Sequence, residues 1–410
     1  MNQSVPLHPG SPYEAFANHG LLVFPPPSGV ETERFPGPAV QLPDGKIFMA
    51  FMAPGLRLEL WRFTADGIPD QGYGTGGGLQ MPDSGFFNVT DVAILADGKV
   101  LVYGLGQEQS TVRLMRVTSE GELDVGFGEG GFAWAPISGM SATTTIALLP
   151  DGRVIGSGRG SSYSSGISWL MRFTVNGEID HSFGEQGIVE LAPVGLRGPL
   201  VVMESGHILA TGVIDGGRAL VAKYRFDGSP DPEFGIGGYV TFVRIDERQS
   251  VLHALALQSD GKLVVAGRIG IDGVHTTDAV VLRLNSDGTL DGTFNDGQPL
   301  VAVERGIDSG EASAVVIQAD GRIVIGGQTA GLDAAVLFRL EKSGSVDRSF
   351  GFPNFDASPG HMGWIHTLDG GVFERVSRLA LTSEGHLLVL GTTRLYEVPF
   401  ERQYISKYWL

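Results

Sequence analysis

Cysteine is absent from the 410 residues, which excludes disulfides, thiolate metal sites and a cysteine nucleophile. Positive charge is scarce: 29 Lys and Arg face 46 Asp and Glu, giving a formal net charge of −17 at pH 7. A phosphate backbone needs a basic face, so this acidic chain is not expected to bind nucleic acid. The same charge favours solubility and opposes anionic lipid. No uninterrupted apolar run reaches the ~18 residues of a spanning helix, so membrane insertion is not expected. The opening MNQSVPLHPGSPYEAF has neither a basic nor an apolar signal region, so the expected location is the cytoplasm, or outside it without a cleaved signal. Sustained 3.6-residue periodicity is missing as well, which argues against helix.

What the chain does have is a repeat. A short apolar run ends in an Asp-Gly type of turn, followed by a second apolar run closed by glycine. It reads LADGKVLVYG around Gly98, QSDGKLVVAG around Gly261 and QADGRIVIGG around Gly321, with further copies around Gly45, Gly152, Gly206 and Gly385. Seven copies at intervals of 53 to 64 residues mean an array of similar units. Each unit holds four strand-like runs, such as VTDVAIL, KVLVYG, TVRLMRV and GFAWAPI, and the Asp-Gly pair suits the positive φ of a tight hairpin. Four-stranded antiparallel units in series predict an all-β fold, a seven-bladed β-propeller.

The first strands carry larger residues on one face (Val92, Ile146, Leu200, Leu255, Leu379) and smaller ones beside them (Ala93, Ala147, Ala256, Ala380). Such alternation lets twisted sheets pack closely. GSPYEAFANHGLLVF from Gly10 matches GSPDPEFGIGGYVTF from Gly228, and Lys407–Leu410 match Lys223–Phe226. Residues 1–24 are therefore expected to complete the last blade of a single domain, 1–410, leaving no open sheet edge there.

The stretches DGKLVVAG and VVLRLNSDGTLDGTF resemble the bacterial delta-sixty repeat, over essentially the whole chain. The resemblance implies a propeller that serves as a scaffold or interaction module, with no common catalytic residues.

Two sets of residues recur. A basic residue stands five before the second turn glycine (Arg62, Arg116, Arg172, Lys223, Arg283, Arg339, Lys407), and an aspartate three after it (Asp70, Asp124, Asp180, Asp231, Asp291, Asp347). They face each other across a hairpin and predict one structural ion pair per blade, partly exposed and contributing roughly 0.2–1 kcal/mol. Tyr13 takes the aspartate's place in the composite blade. Three residues on comes an aromatic (Phe16, Tyr73, Phe127, Phe183, Phe234, Phe294, Phe350), expected to be buried between blades. Neither Gly74–Gly78, which lacks the Lys-Ser/Thr of a phosphate loop, nor Asp287, Asp291 and Asp296, whose order does not fit a calcium loop, makes a convincing ligand site.

Departures from the repeat are the functional candidates. The connector 352–375 is longer than its counterparts and carries His361, Trp364 and His366 outside the strand pattern. RIGIDGVHTTD brings His275 and Asp278 to the same rim, and RGSSYSSG brings Arg159 and Tyr163. Trp, Tyr and Arg are common anchors of binding surfaces. The three histidines lie on unconstrained loops, so no metal or other cofactor is assigned. His253, Asp91 and Arg378 are expected at the mouth of a central channel. The expected function is a non-catalytic binding scaffold that presents a loop rim to a protein or glycan partner. The alternative is a channel-centred hydrolase or lyase, for which no catalytic residues are assigned.

Overall fold

The computed structural model describes residues 9–24, 37–81, 84–108, 111–160, 167–214, 218–242, 249–270, 277–301, 310–329, 334–351, 364–366, 372–394 and 401–410. Blade 2 shows how the repeat becomes structure. Phe86–Ile94, Val100–Gly106, Thr111–Val117 and Phe132–Pro136 pair in chain order, all antiparallel. At the first hairpin the Gly98 N–H donates to the Leu95 carbonyl at 2.9 Å, and the Lys99 N–H to Asp97 Oδ1 at 3.2 Å. Gly98 sits at φ +83°, a conformation that glycine adopts without the Cβ clash other residues meet.

The sheets following this scheme span residues 39–81, 86–136, 140–191, 194–242, 249–301 and 311–366, here blades 1 to 6. Blade 4 differs in its first strand, which is split into Val194–Leu196 and Val201–Val202. Blade 7 is built from Val372–Leu381, His386–Arg394, Glu401–Trp409 and, as its fourth strand, Leu21–Phe24. The fold is a seven-bladed β-propeller. The one helical turn among the described residues is Asn295–Gly297.

The chain packs as two compact units, Val30–Leu257 with Asn285–Thr289, and Met1–Gly29 with Gln258–Leu284 and Leu290–Leu410. In the first unit the apolar cores lie between successive blades. Leu60, Tyr73, Val92, Val102 and Met115 join blades 1 and 2; Leu101, Phe127, Ile146 and Trp169 join blades 2 and 3. Val92, Ile146 and Leu200 are buried, and the smaller Ala93 and Ala147 pack against the same cores, as the alternation of size predicts. In the second unit Val324, Leu337, Phe350, Leu379, Val389 and Tyr404 fill the space between blades 6 and 7. Each such side chain contributes about 1.5–3 kcal/mol on burial, so neighbouring blades stabilise one another.

Candidate binding surface

The recurrent charged residues are held inside the blades. Asp70, Asp124, Asp180, Asp231, Asp291 and Asp347 meet Arg62, Arg116, Arg172, Lys223, Arg283 and Arg339 at 2.6–2.9 Å. Each aspartate also faces a second basic group from the first hairpin: Lys46 at 3.1 Å, Lys99 at 2.9 Å, Arg153 at 2.6 Å, His207 at 3.6 Å, Lys262 at 2.8 Å and Arg322 at 3.6 Å. Sequence reasoning paired only the first cation. The second was visible as the residue right after each turn glycine, one strand away from the aspartate.

The pairs are more buried than expected: Arg172 is 1% exposed and Arg339 fully covered. The physical reason is the ring beneath each guanidinium. Arg62 lies 4.6 Å from the Tyr73 centroid, Arg116 4.5 Å from Phe127, Arg172 4.7 Å from Phe183 and Arg339 4.8 Å from Phe350. All seven recurrent aromatics, Phe16 included, are buried. At Asp180 burial is the largest influence and acts upward, yet Ser182, Arg153 and Arg172 together hold the carboxyl well below the usual carboxylate range. Asp70, Asp231, Asp291 and Asp347 are lowered by the same opposition, and at Asp124 the bond from Lys99 leads.

These groups also couple one blade to the next. Arg116 Nη1 donates to the Val175 carbonyl at 2.8 Å and Arg283 Nη1 to that of Lys342 at 2.7 Å; Arg62 reaches Ser119 and Arg172 reaches Phe226 in the same way. The aromatic of one blade lies under the turn glycine of the following one. A methyl group on Gly177, at φ +87°, would stand 2.9 Å from the Phe127 ring. Of the supposed calcium ligands, Asp291 is thus an ion-pair member, and Asp287 accepts from the N–H and hydroxyl of Thr289 at 2.9 and 2.7 Å.

Asp91, expected at a channel mouth, is buried at 2% exposure. Its carboxylate accepts from the Thr145 hydroxyl and from the Ile146 N–H at 3.0 Å, so it fastens blade 2 to blade 3. A buried carboxylate needs such donors. Thr90, at the neighbouring position, bonds the Thr143 hydroxyl at 2.9 Å. His253 and Arg378 are partly buried on their first strands, Gln249–Leu257 and Val372–Leu381.

The rim residues fare differently. Trp364 and His366 do not stand in a loop: Trp364–His366 is the fourth strand of blade 6, with Trp364 opposite Phe338 and His366 opposite Val336. The expectation failed because this strand starts 14 residues after Phe350, where its counterparts in blades 1 to 4 start 5 residues after their aromatic, and so fell outside the repeat spacing. Arg159 and Asp278 are partly buried at strand ends, Arg159 opposite Ser168 and Asp278 opposite Ile269. His361, His275 and Tyr163 lie outside the described residues. Sequence reasoning overlooked Trp134, 44% exposed on the outer strand of blade 2 opposite Arg113. Its outward side-chain phase in GFAWAPI was the available signal.

Three stretches of the chain, 95–127, 258–294 and 318–350, match a family described as a domain of unknown function (DUF5122) beta-propeller. One stretch lies in each of blades 2, 5 and 6. Each runs from the first hairpin, or just before it, to the recurrent aromatic of its blade. No curated protein matches the chain. Among solved structures it is similar to the calcium-binding protein regucalcin from Agrobacterium tumefaciens, 13% identical over 71% of this chain and 81% of that one, with a TM-score of 0.38. It is also similar to extracellular domains 1–2 of Drosophila Semaphorin 1b, 11% identical over 79% and 78% with a TM-score of 0.38. A third is a mutant of the NanB sialidase from Streptococcus pneumoniae, 11% identical over 95% and 70% with a TM-score of 0.42.

Proposed function

We propose that this chain is a non-catalytic interaction scaffold whose partner is a protein, held by residues that break the repeat. The observation that supports this reading is the fate of the recurrent residues. Every recurring cation and aromatic sits in an ion pair, over a ring or in a core between blades. The variable residues occupy strand ends and outer strands: Arg159 and Asp278 where second and third strands meet their connectors, Trp364 and His366 on the outermost strand of blade 6. Repeats of this kind keep their scaffold constant and vary the recognition face. Connectors tolerate such variation without cost to the core.

A photo-crosslinking residue at position 364 tests the reading. Crosslinking in extract of the source cells is expected to capture a defined protein. His366→Ala with Asp278→Ala, both in the unit that holds position 364, should reduce capture at least tenfold while leaving the melting temperature within a few degrees. Capture that is unchanged by these substitutions, or a glycan recovered in place of a protein, would overturn it.

A further inference from the structure

Blade 7 replaces the ion pair with a different device. Tyr13 occupies the aspartate's place, and Lys407 lies 4.7 Å from its ring centroid. The basic residue of the first hairpin is here His386, 5% exposed. Its ring stands 4.5 Å from the Tyr13 ring and 4.5 Å from that of Trp409, and Tyr13 and Trp409 are 5.0 Å apart. Tyr13 comes from the segment 9–24, which docks on the third strand of this blade. Gly10 N–H donates to the Trp409 carbonyl at 2.6 Å, Tyr13 N–H to that of Lys407 at 2.7 Å, and Lys407 N–H to that of Gly20 at 3.0 Å. The imidazole therefore lies beneath the docked segment.

The charged and titratable groups around it are few. Glu384, from the same hairpin, places Oε2 3.4 Å from His386 Nδ1 and 3.3 Å from Lys407 Nζ. Its side chain is 60% exposed, whereas that of Lys407 is 2% exposed. Tyr13 is the third. His386 Nε2 has no hydrogen-bond partner among the described residues. A proton on this ring would put a second positive charge beside buried Lys407, with one solvent-facing carboxylate to balance both. Coulomb repulsion in a covered site is screened far less than at the surface.

We propose that protonation of His386 releases the segment 9–24 from blade 7, making its docking an acid-sensitive latch. Burial, then Lys407, push the imidazole's pKa below its ordinary value, against a smaller upward pull from Glu384. Undocking lifts the burial though not the neighbouring Lys407, so the proton binds better once the segment is free, with a pKa nearer the ordinary value of about 6.5. Docking is at full strength above that pH and weakens as the pH falls below it, by at most about tenfold per pH unit for one proton. The aspartate pairs of the other blades respond only at much lower pH, because their carboxyls start from about 3.9 and are lowered further.

Hydrogen exchange read by mass spectrometry at pH 7.5, 6.5 and 5.5, corrected for the intrinsic exchange rate, tests this on the full chain. Protection of peptides covering 9–24 and 401–409 is expected to fall several-fold to tenfold between pH 6.5 and 5.5. Peptides covering 111–117 in blade 2 and 218–224 in blade 4 should hold. In His386→Gln the fall should vanish, with His386→Asn as the second variant should the first not fold. A flat response in blade 7, an equal fall in every blade, or a fall that persists in the substituted protein would each overturn the latch.

Discussion

Six blades hold an aspartate between two basic groups; the seventh puts Tyr13 in that place and packs it against His386 and Trp409. In the six, the basic residue of the third strand and the aspartate belong to one continuous stretch of chain, eight residues apart, so the pair forms within a hairpin. In the seventh, Lys407 and Tyr13 come from opposite ends of the sequence and must meet by docking. The difference teaches what each device is suited to. An ion pair formed locally is present whenever its hairpin is, whereas an aromatic cluster formed across a docking interface exists only while the two segments are together. Its strength then depends on whatever changes that interface, the charge on His386 included.

Deleting residues 9–24 should break the comparison most severely. It strips the fourth strand and the Tyr13 cluster from blade 7 and exposes an unpaired third strand, Glu401–Trp409. Loss of a single cooperative transition in calorimetry, with aggregation, is the expected outcome. Unchanged melting would show that blade 7 stands without this segment.

Acid should act next, and on the six blades together. All six aspartates have carboxyl pKa values lowered on folding. The unfolded chain therefore binds protons first, at about 3.9. The stabilisation is complete above that value and is lost as pH falls below it towards the lowered native values. Urea midpoints should be flat with respect to these groups from pH 7 to 5 and drop steeply below 4.

Arg172→Met removes one partner of a buried pair and leaves Asp180 with Arg153 and Ser182. A cost of about 3–5 kcal/mol is expected for an uncompensated buried charge, reduced towards the lower end by Arg153. This exceeds the modest cost expected from sequence alone, since the pair is covered rather than half-exposed. Urea unfolding at pH 7 measures it.

Thr145→Val should cost less, about 1–3 kcal/mol, because Asp91 keeps the N–H groups of Val92 and Ile146. The smallest effect expected is that of Lys407→Met. Its partners are a ring and an exposed carboxylate; the ring contact contributes about 2 kcal/mol in a covered site, and most of that is offset because the variant no longer buries an ammonium group. Should Lys407→Met prove as costly as Arg172→Met, the distinction between the six blades and the seventh would fail.

Much of this architecture could be read from the residues. The turns of the Asp-Gly type set seven hairpins, the Arg62–Asp70 spacing set one pair in each of six blades, and the match of Gly10 to Gly228 gave blade 7 its fourth strand, because all three are local or repeated patterns. The candidate surface was less legible. Trp364 was expected in a loop, and a strand that forms only by pairing with Ala335–Leu340 carries no signal in its own three residues. Asp91 was expected at the mouth of a channel, since its donors Thr145 and Ile146 lie over 50 residues away.

The sequence by itself determined the number of blades, their hairpins and the local ion pairs, each governed by contacts between residues close in the chain. Only the tertiary structure decided how deeply those pairs are buried, that every aspartate faces a second basic group, and that His386 lies beneath a docked segment. Burial and electrostatics depend on what arrives from elsewhere in the chain, and no periodicity records that.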